Sequence, residues 1–309
     1  MSDTTYSDLP VITHTEATSL CQLACPFCPR EESFAQRGFA GTRLNPEALG
    51  RWIRRGDYAA TPYTELQMSG EPLLHPGLES LIDVLSKAGI MVGFSTNGLL
   101  LKDKLHLLPK VTLLTVSVDS LGAAEYGRLR PRRSGEPGDL SVLLDGLDSM
   151  FALARWHRPR LVDIQMVAMA GDLNTHEKLA ALQERFPYPG VSFHVSWDTR
   201  SVQRSGRPLH AAAAEVMCTD PWDIVVVHCD GTVSSCNTSW GRESLNTYGN
   251  LYENSLQSIW NGPKVVAMRN AQRRGMPGGA CATCYSRNAR RIHRQLIPLM
   301  VKDLLTGER

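Results

Sequence analysis

Short apolar runs alternate with amphipathic stretches along the first two-thirds of the chain. The runs typical of strands are Val11–Thr15, Glu65–Met68, Met91–Ser95, Leu113–Val118, Val162–Met169 and Val191–Ser196. Apolar residues recur with a helical period in Asn45–Arg55, Pro76–Ala88, Ser141–Arg155 and His176–Arg185. Strands that alternate with helices favour a parallel sheet with helices outside it. Six such units are too few for a closed eight-stranded barrel, so the pattern predicts an α/β fold built on a partial (β/α)6 barrel.

The pattern changes after residue 197. The polar stretch Asp198–Leu209 is typical of a linker, and Asp230-Gly231 between apolar runs predicts a β-hairpin of Ile224–His228 and Thr232–Ser235. Helices are expected over Ser255–Arg273 and, with a basic face, over Arg287–Leu305. We therefore expect a barrel over residues 1–197, a small hairpin and helix domain over 198–286, and a C-terminal helix over 287–309.

Composition narrows the class of protein. The chain has 33 Lys and Arg against 31 Asp and Glu, a formal net charge of +2, which argues against a nucleic-acid partner. Its apolar runs are too short for a membrane-spanning helix, and its first residues lack the pattern of a secretory signal. We expect a cytoplasmic protein without a membrane partner.

The eight cysteines fall into two groups, near the start and near the end of the chain. Disulfides are not expected in a cytoplasmic chain of this length, and short spacings indicate metal coordination. Cys21, Cys25 and Cys28 follow the first strand in the pattern Cys-x3-Cys-x2-Cys. Three thiolates at this spacing can hold three irons of a [4Fe–4S] cluster and leave the fourth iron open. A zinc site, with His14 as a conceivable fourth ligand, and a redox-active trio are the alternatives.

Further motifs follow this triplet in an order that resembles the radical S-adenosylmethionine (SAM) superfamily. The matching stretches are Met68-Ser69-Gly70-Glu71-Pro72, similar to the family's Gly-Gly-Glu motif, Phe94-Ser95-Thr96-Asn97-Gly98, Ser117-Val118-Asp119, and Tyr126 with Arg130. Ser69 in place of the first glycine is a departure from the family pattern. The resemblance implies that SAM is bound by Phe27, Ser69, Gly70, Glu71, Thr96, Asn97, Ser117, Asp119 and Arg130.

The resemblance also implies the chemistry. The methionine amine and carboxylate of SAM chelate the open iron, and an electron from the reduced cluster breaks the sulfonium C–S bond. The resulting 5′-deoxyadenosyl radical removes a hydrogen atom from an unactivated C–H bond. Glu71 suits the ammonium group as a charge-assisted acceptor, and Phe27 is expected to pack over the adenine.

The second cysteine group predicts a closed cluster. Cys218, Cys236, Cys281 and Cys284 can fill all four irons of a second [4Fe–4S] cluster. The surrounding sequence, with Gly231 and the stretch Gly249–Trp260, resembles the auxiliary-cluster domains of this superfamily, named SPASM and, in their single-cluster form, twitch. A structural four-cysteine zinc site is the alternative.

The remaining cysteine, Cys229, bears on the type of reaction. The resemblance extends to radical SAM carbohydrate epimerases, in which a cysteine returns a hydrogen atom from the opposite face, and to the inosamine dehydrogenase. Our leading expectation is epimerisation with Cys229 as the hydrogen donor, although Cys229 is otherwise a small apolar strand residue. The alternative is a dehydrogenase that oxidises an alcohol through the auxiliary cluster. Asn237 weakens that reading because an amide is no base, which leaves Asp230, His228 or Glu243 as substitutes.

The substrate is expected to be small and hydroxylated. About ten residues precede the first strand, which leaves no room for a peptide-docking domain. A carbohydrate or aminocyclitol of antibiotic biosynthesis is the preferred class, by resemblance, with flavodoxin or ferredoxin as electron donor. Peptide modification and a SAM-binding iron–sulfur scaffold without turnover are the further alternatives.

Overall fold

The structure is a computed structural model that describes residues 8–28, 30, 41–169, 174–197, 217–237, 247–276 and 281. Its strands are β1 (Val11–Thr15), β2 (Tyr63–Glu65), β3 (Met91–Thr96), β4 (Leu113–Ser117), β5 (Leu161–Ala168), β6 (Val191–Trp197), β7 (Ile224–Val227), β8 (Thr232–Ser234) and β9 (Thr247–Asn250). They form one sheet in the order β6-β5-β4-β3-β2-β1-β7-β8-β9. The strands from β6 to β7 in this order are parallel, and the sheet is open, which confirms the predicted partial barrel.

The helices lie between the strands as the periodicity predicts. They are α1 (Pro46–Arg55), α2 (Leu78–Lys87), α3 (Ala123–Leu129), α4 (Leu140–Ala152), α5 (Thr175–Arg185), α6 (Asp220–Asp223), α7 (Leu256–Trp260) and α8 (Pro263–Arg273). Short 3-10 segments occur at Pro72–Leu74, Lys102–Lys110 and Arg155–His157. None of the described helices is long and apolar enough to cross a membrane.

Two predicted elements are wrong in their extent. The second strand ends at Glu65, where Glu65–Met68 was predicted, because Gln67 turns its side-chain carbonyl to the Ser95 N–H, at 2.9 Å. The helix predicted over Ser255–Arg273 is two helices, α7 and α8, with Gly262 between them. Pro263 has no N–H to continue the first helix and instead begins the second.

The two faces of the sheet differ in polarity. Val92, Phe94, Leu114 and Val116 are buried in the core with the apolar residues of α2 and α4. On the opposite face, called the inner face below, the register pairs His14 with Glu65, Ser95 with Thr115, and Ser117 with Gln165. The inner face is therefore the polar side of the partial barrel, on which a ligand can be bound.

The C-terminal hairpin continues this sheet. β7 pairs in parallel with β1, with Val11 opposite Ile224, and β8 and β9 follow in antiparallel order. β9 was not predicted. The predicted linker Asp198–Leu209 and the predicted helix Arg287–Leu305 lie outside the described residues.

Candidate active site

The first three cysteines lie on the loop that follows β1. Cys21, Cys25 and Cys28 are half-buried, and the Cys28 N–H donates to the Cys25 carbonyl at 3.0 Å. All three line one open cleft. Burial raises the pKa of Cys21 and of Cys25 to about 11, so iron must displace thiol protons when it binds.

A second loop holds the cysteine loop in place. Ala24 N–H donates to the Pro131 carbonyl at 2.8 Å, and Leu23 pairs with Arg132. Arg133 Nε donates to the Cys21 carbonyl at 2.7 Å. The loop 131–133 thus fixes the backbone that carries the thiols.

Glu71 is a buried carboxylate at the edge of the cleft. It is 3% exposed. Its Oε1 accepts from Thr96 Oγ1 at 2.7 Å and from the Leu73 N–H at 3.2 Å, and its Oε2 accepts from the Asn97 N–H at 2.8 Å. Burial raises the pKa of Glu71, and these hydrogen bonds oppose that rise. A ligand cation would stabilise the charged form in this position.

Asn97 connects Glu71 to the cysteine loop. Its side-chain amide donates to Gln22 Oε1 at 3.3 Å, and the same nitrogen lies 4.0 Å from Cys21 Sγ. Its backbone holds Glu71, as described above. The predicted residues Thr96 and Asn97 therefore order both sides of the cleft.

Gly70 is needed for space. A Cβ at this position would lie 2.0 Å from the Thr18 carbonyl oxygen, so no side chain fits there. The preceding Ser69 donates its N–H to Glu16 Oε1 at 2.9 Å, and its hydroxyl donates to the same oxygen. The segment Ser69–Glu71 is thus packed directly against the chain that leaves β1.

Phe27, Ser117 and Arg130 also line the cleft. The Arg130 guanidinium carbon lies 5.3 Å from the centre of the Phe27 ring, and its Nε donates to Asp119 Oδ2 at 2.5 Å. Asp119 Oδ1 accepts from the Val167 N–H at 2.9 Å. Asp119 does not line the cleft, and the structure places it behind Arg130.

The second cysteine group is described in part. Cys236 follows β8 and is buried, Cys218 precedes α6, and Cys281 is half-buried, whereas Cys284 lies outside the described residues. Tyr248 on β9 has a buried hydroxyl next to Ser235 that makes no hydrogen bond of good geometry with the described residues. Burial, together with the charges of Cys236 and Cys281, raises its pKa above the usual range. A buried donor with a poorly satisfied hydroxyl beside two cysteines fits a sulfur-rich acceptor at this place.

The residues present fit iron–sulfur clusters by their donor chemistry. In the described part of the chain, no three His, Cys, Asp or Glu side chains could hold a single metal ion. A [4Fe–4S] cluster does not require such convergence, because each thiolate binds a different iron.

Cys229 is placed away from the cleft lining. It is 1% exposed, its N–H donates to Glu16 Oε2 at 3.3 Å, and its thiol contacts Glu16 and Ser19. Burial and the charge of Glu16 raise its pKa far above the usual range. The cleft is lined by other residues. Its role as a hydrogen donor stays a prediction.

The candidate bases near Cys229 make hydrogen bonds or other polar contacts within the hairpin and with Glu16. Asp230 Oδ1 accepts from the Thr232 N–H at 3.0 Å, and Asp230 Oδ2 from the Thr232 hydroxyl at 2.8 Å. His228 contacts Glu16 and Ser234. Asn237 is exposed, and Glu243 lies outside the described residues.

Sequence reasoning missed a polar group on the inner face. His14 Nε2 lies 3.5 Å from Glu65 Oε2, and the Tyr63 hydroxyl donates to Glu65 Oε1 at 3.2 Å. Gln67, which also contacts Glu65, lines the cleft. Polar residues within otherwise apolar strands were the signal available for this group. Glu16, also missed, carried no such signal.

Comparison with protein families identifies two domains. Residues 15–153 match the radical SAM superfamily, and residues 218–285 match an iron–sulfur cluster-binding domain, SPASM. The protein is thus a radical SAM enzyme with an auxiliary SPASM domain. These domains imply SAM with a [4Fe–4S] cluster in the first and auxiliary iron–sulfur binding in the second. A search of curated protein sequences finds no match.

Solved structures show the same fold at low sequence identity. BtrN in complex with AdoMet and 2-DOIA is 16% identical, with 87% of this chain and 89% of that chain covered and a TM-score of 0.53. Streptococcus suis SuiB bound to S-adenosylmethionine is 14% identical over 85% of this chain and 66% of that chain, with a TM-score of 0.61. AnSMEcpe with bound AdoMet and a Cp18Cys peptide is 14% identical, with 97% of this chain and 100% of that chain covered and a TM-score of 0.62.

Proposed function

We propose that this enzyme oxidises an alcohol group of a carbohydrate or aminocyclitol. When bound, SAM and the reduced cluster supply a 5′-deoxyadenosyl radical that removes a hydrogen atom from a C–H bond. The single observation that carries the proposal is the cleft, in which three cysteines face a preorganised Glu71 across one open space.

The chain's own residues divide the work of binding. Cys21, Cys25 and Cys28 hold the first cluster. Glu71 accepts a hydrogen bond from the SAM ammonium group, with Thr96 and Asn97 keeping its carboxylate in place. Ser69 fixes the loop that carries Glu71, and Gly70 allows this loop to pack closely against the chain after β1. Phe27, Ser117 and Arg130 bind the adenosine. Asp119 positions Arg130.

The auxiliary cluster is assigned to the C-terminal domain. Cys218, Cys236, Cys281 and Cys284 hold it, and the Tyr248 hydroxyl donates to it. We place the domains at residues 1–197 and 198–286, with a C-terminal helix over 287–309. Oxidation of an alcohol leaves one electron after the hydrogen atom and the hydroxyl proton have gone. The auxiliary domain is the part of the chain suited to hold an acceptor for it, and a cytoplasmic flavodoxin or ferredoxin is the proposed reductant.

The inner face is the proposed substrate surface. His14 and Glu65 lie at the carboxyl ends of β1 and β2, beside Gln67 in the cleft. Such neighbouring donors and acceptors suit hydroxyl and amino groups. The shared fold with BtrN, crystallised with 2-DOIA, supports an aminocyclitol of antibiotic biosynthesis. The peptide complexes of SuiB and anSMEcpe support peptide modification as the less favoured reading.

Oxidation is favoured over epimerisation by the position of Cys229. Epimerisation needs a hydrogen donor that reaches the substrate, whereas Cys229 is 1% exposed and its backbone N–H is bonded to Glu16. Epimerisation with Cys229 as donor is the second candidate, because Cys229 is the cysteine that neither cluster uses.

One experiment tests the proposal. Anaerobically reconstituted protein is reduced with dithionite and incubated in D2O with SAM and a panel of aminocyclitols and sugars that includes 2-DOIA. Mass spectrometry should find 5′-deoxyadenosine and a product that has lost two hydrogens. A product of unchanged hydrogen count that carries deuterium at carbon, and that disappears in Cys229→Ala, would establish the epimerase instead. Absence of 5′-deoxyadenosine with every compound would contradict both.

A further inference from the structure

Glu16 is a carboxylate in the protein interior that contacts two distant parts of the chain, at Ser69 and at His228–Cys229. It directly follows β1 and is 2% exposed. Its Oε1 accepts from the N–H and the hydroxyl of Ser69, the former at 2.9 Å. Its Oε2 accepts from the Cys229 N–H at 3.3 Å and lies 3.5 Å from His228 Nδ1.

Glu16 is charged in this position. Burial alone would raise its pKa, but the hydrogen bond and charge of His228, together with Ser69, lower the pKa to about 2. His228 is also buried, and its Nε2 lies 2.8 Å from Ser234 Oγ. A buried carboxylate is costly to leave without its partners, because its charge is then uncompensated in the interior.

The network connects the two cofactor-binding regions. Ser69 begins the segment that ends at Glu71, and both residues line the cleft. Gly70 between them has no side chain to anchor the segment, and Glu16 accepts hydrogen bonds from both the N–H and the hydroxyl of Ser69 at its start. On the other side, Ser234 lies close to Cys236 at the end of the hairpin. Neither Glu16 nor His228 lines the cleft.

We propose that Glu16 is a positioning residue for SAM, which fixes the segment Ser69–Glu71 and is itself oriented by His228. The inference rests on the proposed SAM-binding role of that segment. Loss of the Glu16 charge frees Ser69 and lets Glu71 move from the place at which it meets the ammonium group. His228, which belongs to the C-terminal hairpin, therefore contributes to SAM affinity without touching SAM.

The test measures SAM binding in the full-length, anaerobically reconstituted protein. Equilibrium dialysis with labelled SAM is carried out on the wild type, Glu16→Gln and His228→Gln. Asp57→Asn is the matched control, because Asp57 is a 3% exposed carboxylate that pairs with Arg55 and accepts from the Leu256 N–H at 2.8 Å, away from the cleft. Thermal unfolding of each variant gives its stability independently.

The expected result separates positioning from stability. Glu16→Gln raises the Kd for SAM by about tenfold or more, consistent with loss of a charged hydrogen bond, and His228→Gln raises it several-fold. Asp57→Asn leaves the Kd within about twofold of wild type even though its Tm falls. The SAM concentration that changes the EPR spectrum of the reduced cluster shifts by the same factors.

Each other result has a distinct meaning. Wild-type affinity in both Glu16→Gln and His228→Gln would overturn the inference, and so would an equal loss in Asp57→Asn. If Glu16→Gln does not fold, His228→Gln alone decides, and its wild-type affinity would overturn the inference. A wild type that binds no SAM would contradict the proposed function.

Discussion

At the scale of single residues, Glu71 has the sharpest expected effect. Its carboxylate is fixed by three hydrogen bonds and lies where a cation would stabilise it. Glu71→Gln should keep the shape but lose the charge, so SAM should bind about 10- to 100-fold more weakly. Equilibrium dialysis checks this. Glu79→Gln, which changes an exposed carboxylate paired with Lys110, should bind SAM like wild type. Equal affinity in both variants would contradict the role of Glu71.

The raised pKa of Glu71 also predicts a dependence of SAM affinity on pH. Burial raises the pKa of this carboxyl, so it takes up a proton at a higher pH than an exposed glutamate does. The protonated form has no charge to offer the ammonium group, so the Kd for SAM should rise as pH falls toward that pKa. Dialysis over a pH series from 8 down to the lowest pH at which the protein stays folded measures the trend. If the Kd for SAM of the wild type changes with pH as little as that of Glu71→Gln, the result would contradict this prediction.

The residues that sequence could predict are those tied to fixed spacing. The cysteine triplet, Gly70 and Glu71 were found because their chemistry needs given residue types at given offsets, and the structure brings them to one cleft. Asp119 stays a prediction as a SAM-binding residue: its carboxylate accepts from Arg130, and a motif does not show which of its members reach a ligand directly. Glu16 could not be found, because only the folded sheet brings Ser69 and His228 to it.

At the scale of elements, two glycines with the same backbone angle differ in their surroundings. Gly98 has φ +76° and a Cβ there would lie 2.1 Å from Leu143 Cδ1 on α4, whereas Gly89 has φ +77° with nothing within 4 Å. In both alanine variants the new side chain is strained by the positive φ. In Gly98→Ala the added methyl group also clashes with Leu143, so the turn after β3 must move away from α4. We expect Gly98→Ala to be less stable than Gly89→Ala by about 1–3 kcal/mol. Urea unfolding of both measures the difference, and equal stabilities would contradict the clash.

Element type was predictable where periodicity was strong, and element ends were not. The helices α1, α2, α4 and α5 follow their apolar period. β2 was predicted to extend too far because Leu66 and Met68 continue the apolar pattern, whereas the side chain of Gln67 and not a backbone carbonyl accepts from the Ser95 N–H. β9 was missed because Thr247–Asn250 has little apolar character, and its pairing with β8 depends on the hairpin being present first.

At the scale of the whole molecule, the two domains share one sheet. β1 lies between β2 and β7, so the strand that leads into the first cysteine loop also carries the hairpin of the second. Sequence order suggested two separate units, since nothing in the chain shows that strands so far apart will pair. The shared strand gives Glu16 its position between the two regions.

This arrangement predicts how iron content divides between the domains. Two [4Fe–4S] clusters give about eight irons per chain. Cys236→Ala should lower this to about four and leave SAM cleavage to 5′-deoxyadenosine intact, whereas Cys28→Ala should lose about four irons and the cleavage. Cys229→Ala is the matched control, because it removes a buried cysteine of the same hairpin and should keep about eight. Iron and zinc are measured after anaerobic reconstitution. About four irons and bound zinc in the wild type, with loss of the zinc alone in Cys236→Ala, would show that the C-terminal cysteines bind zinc and not a cluster.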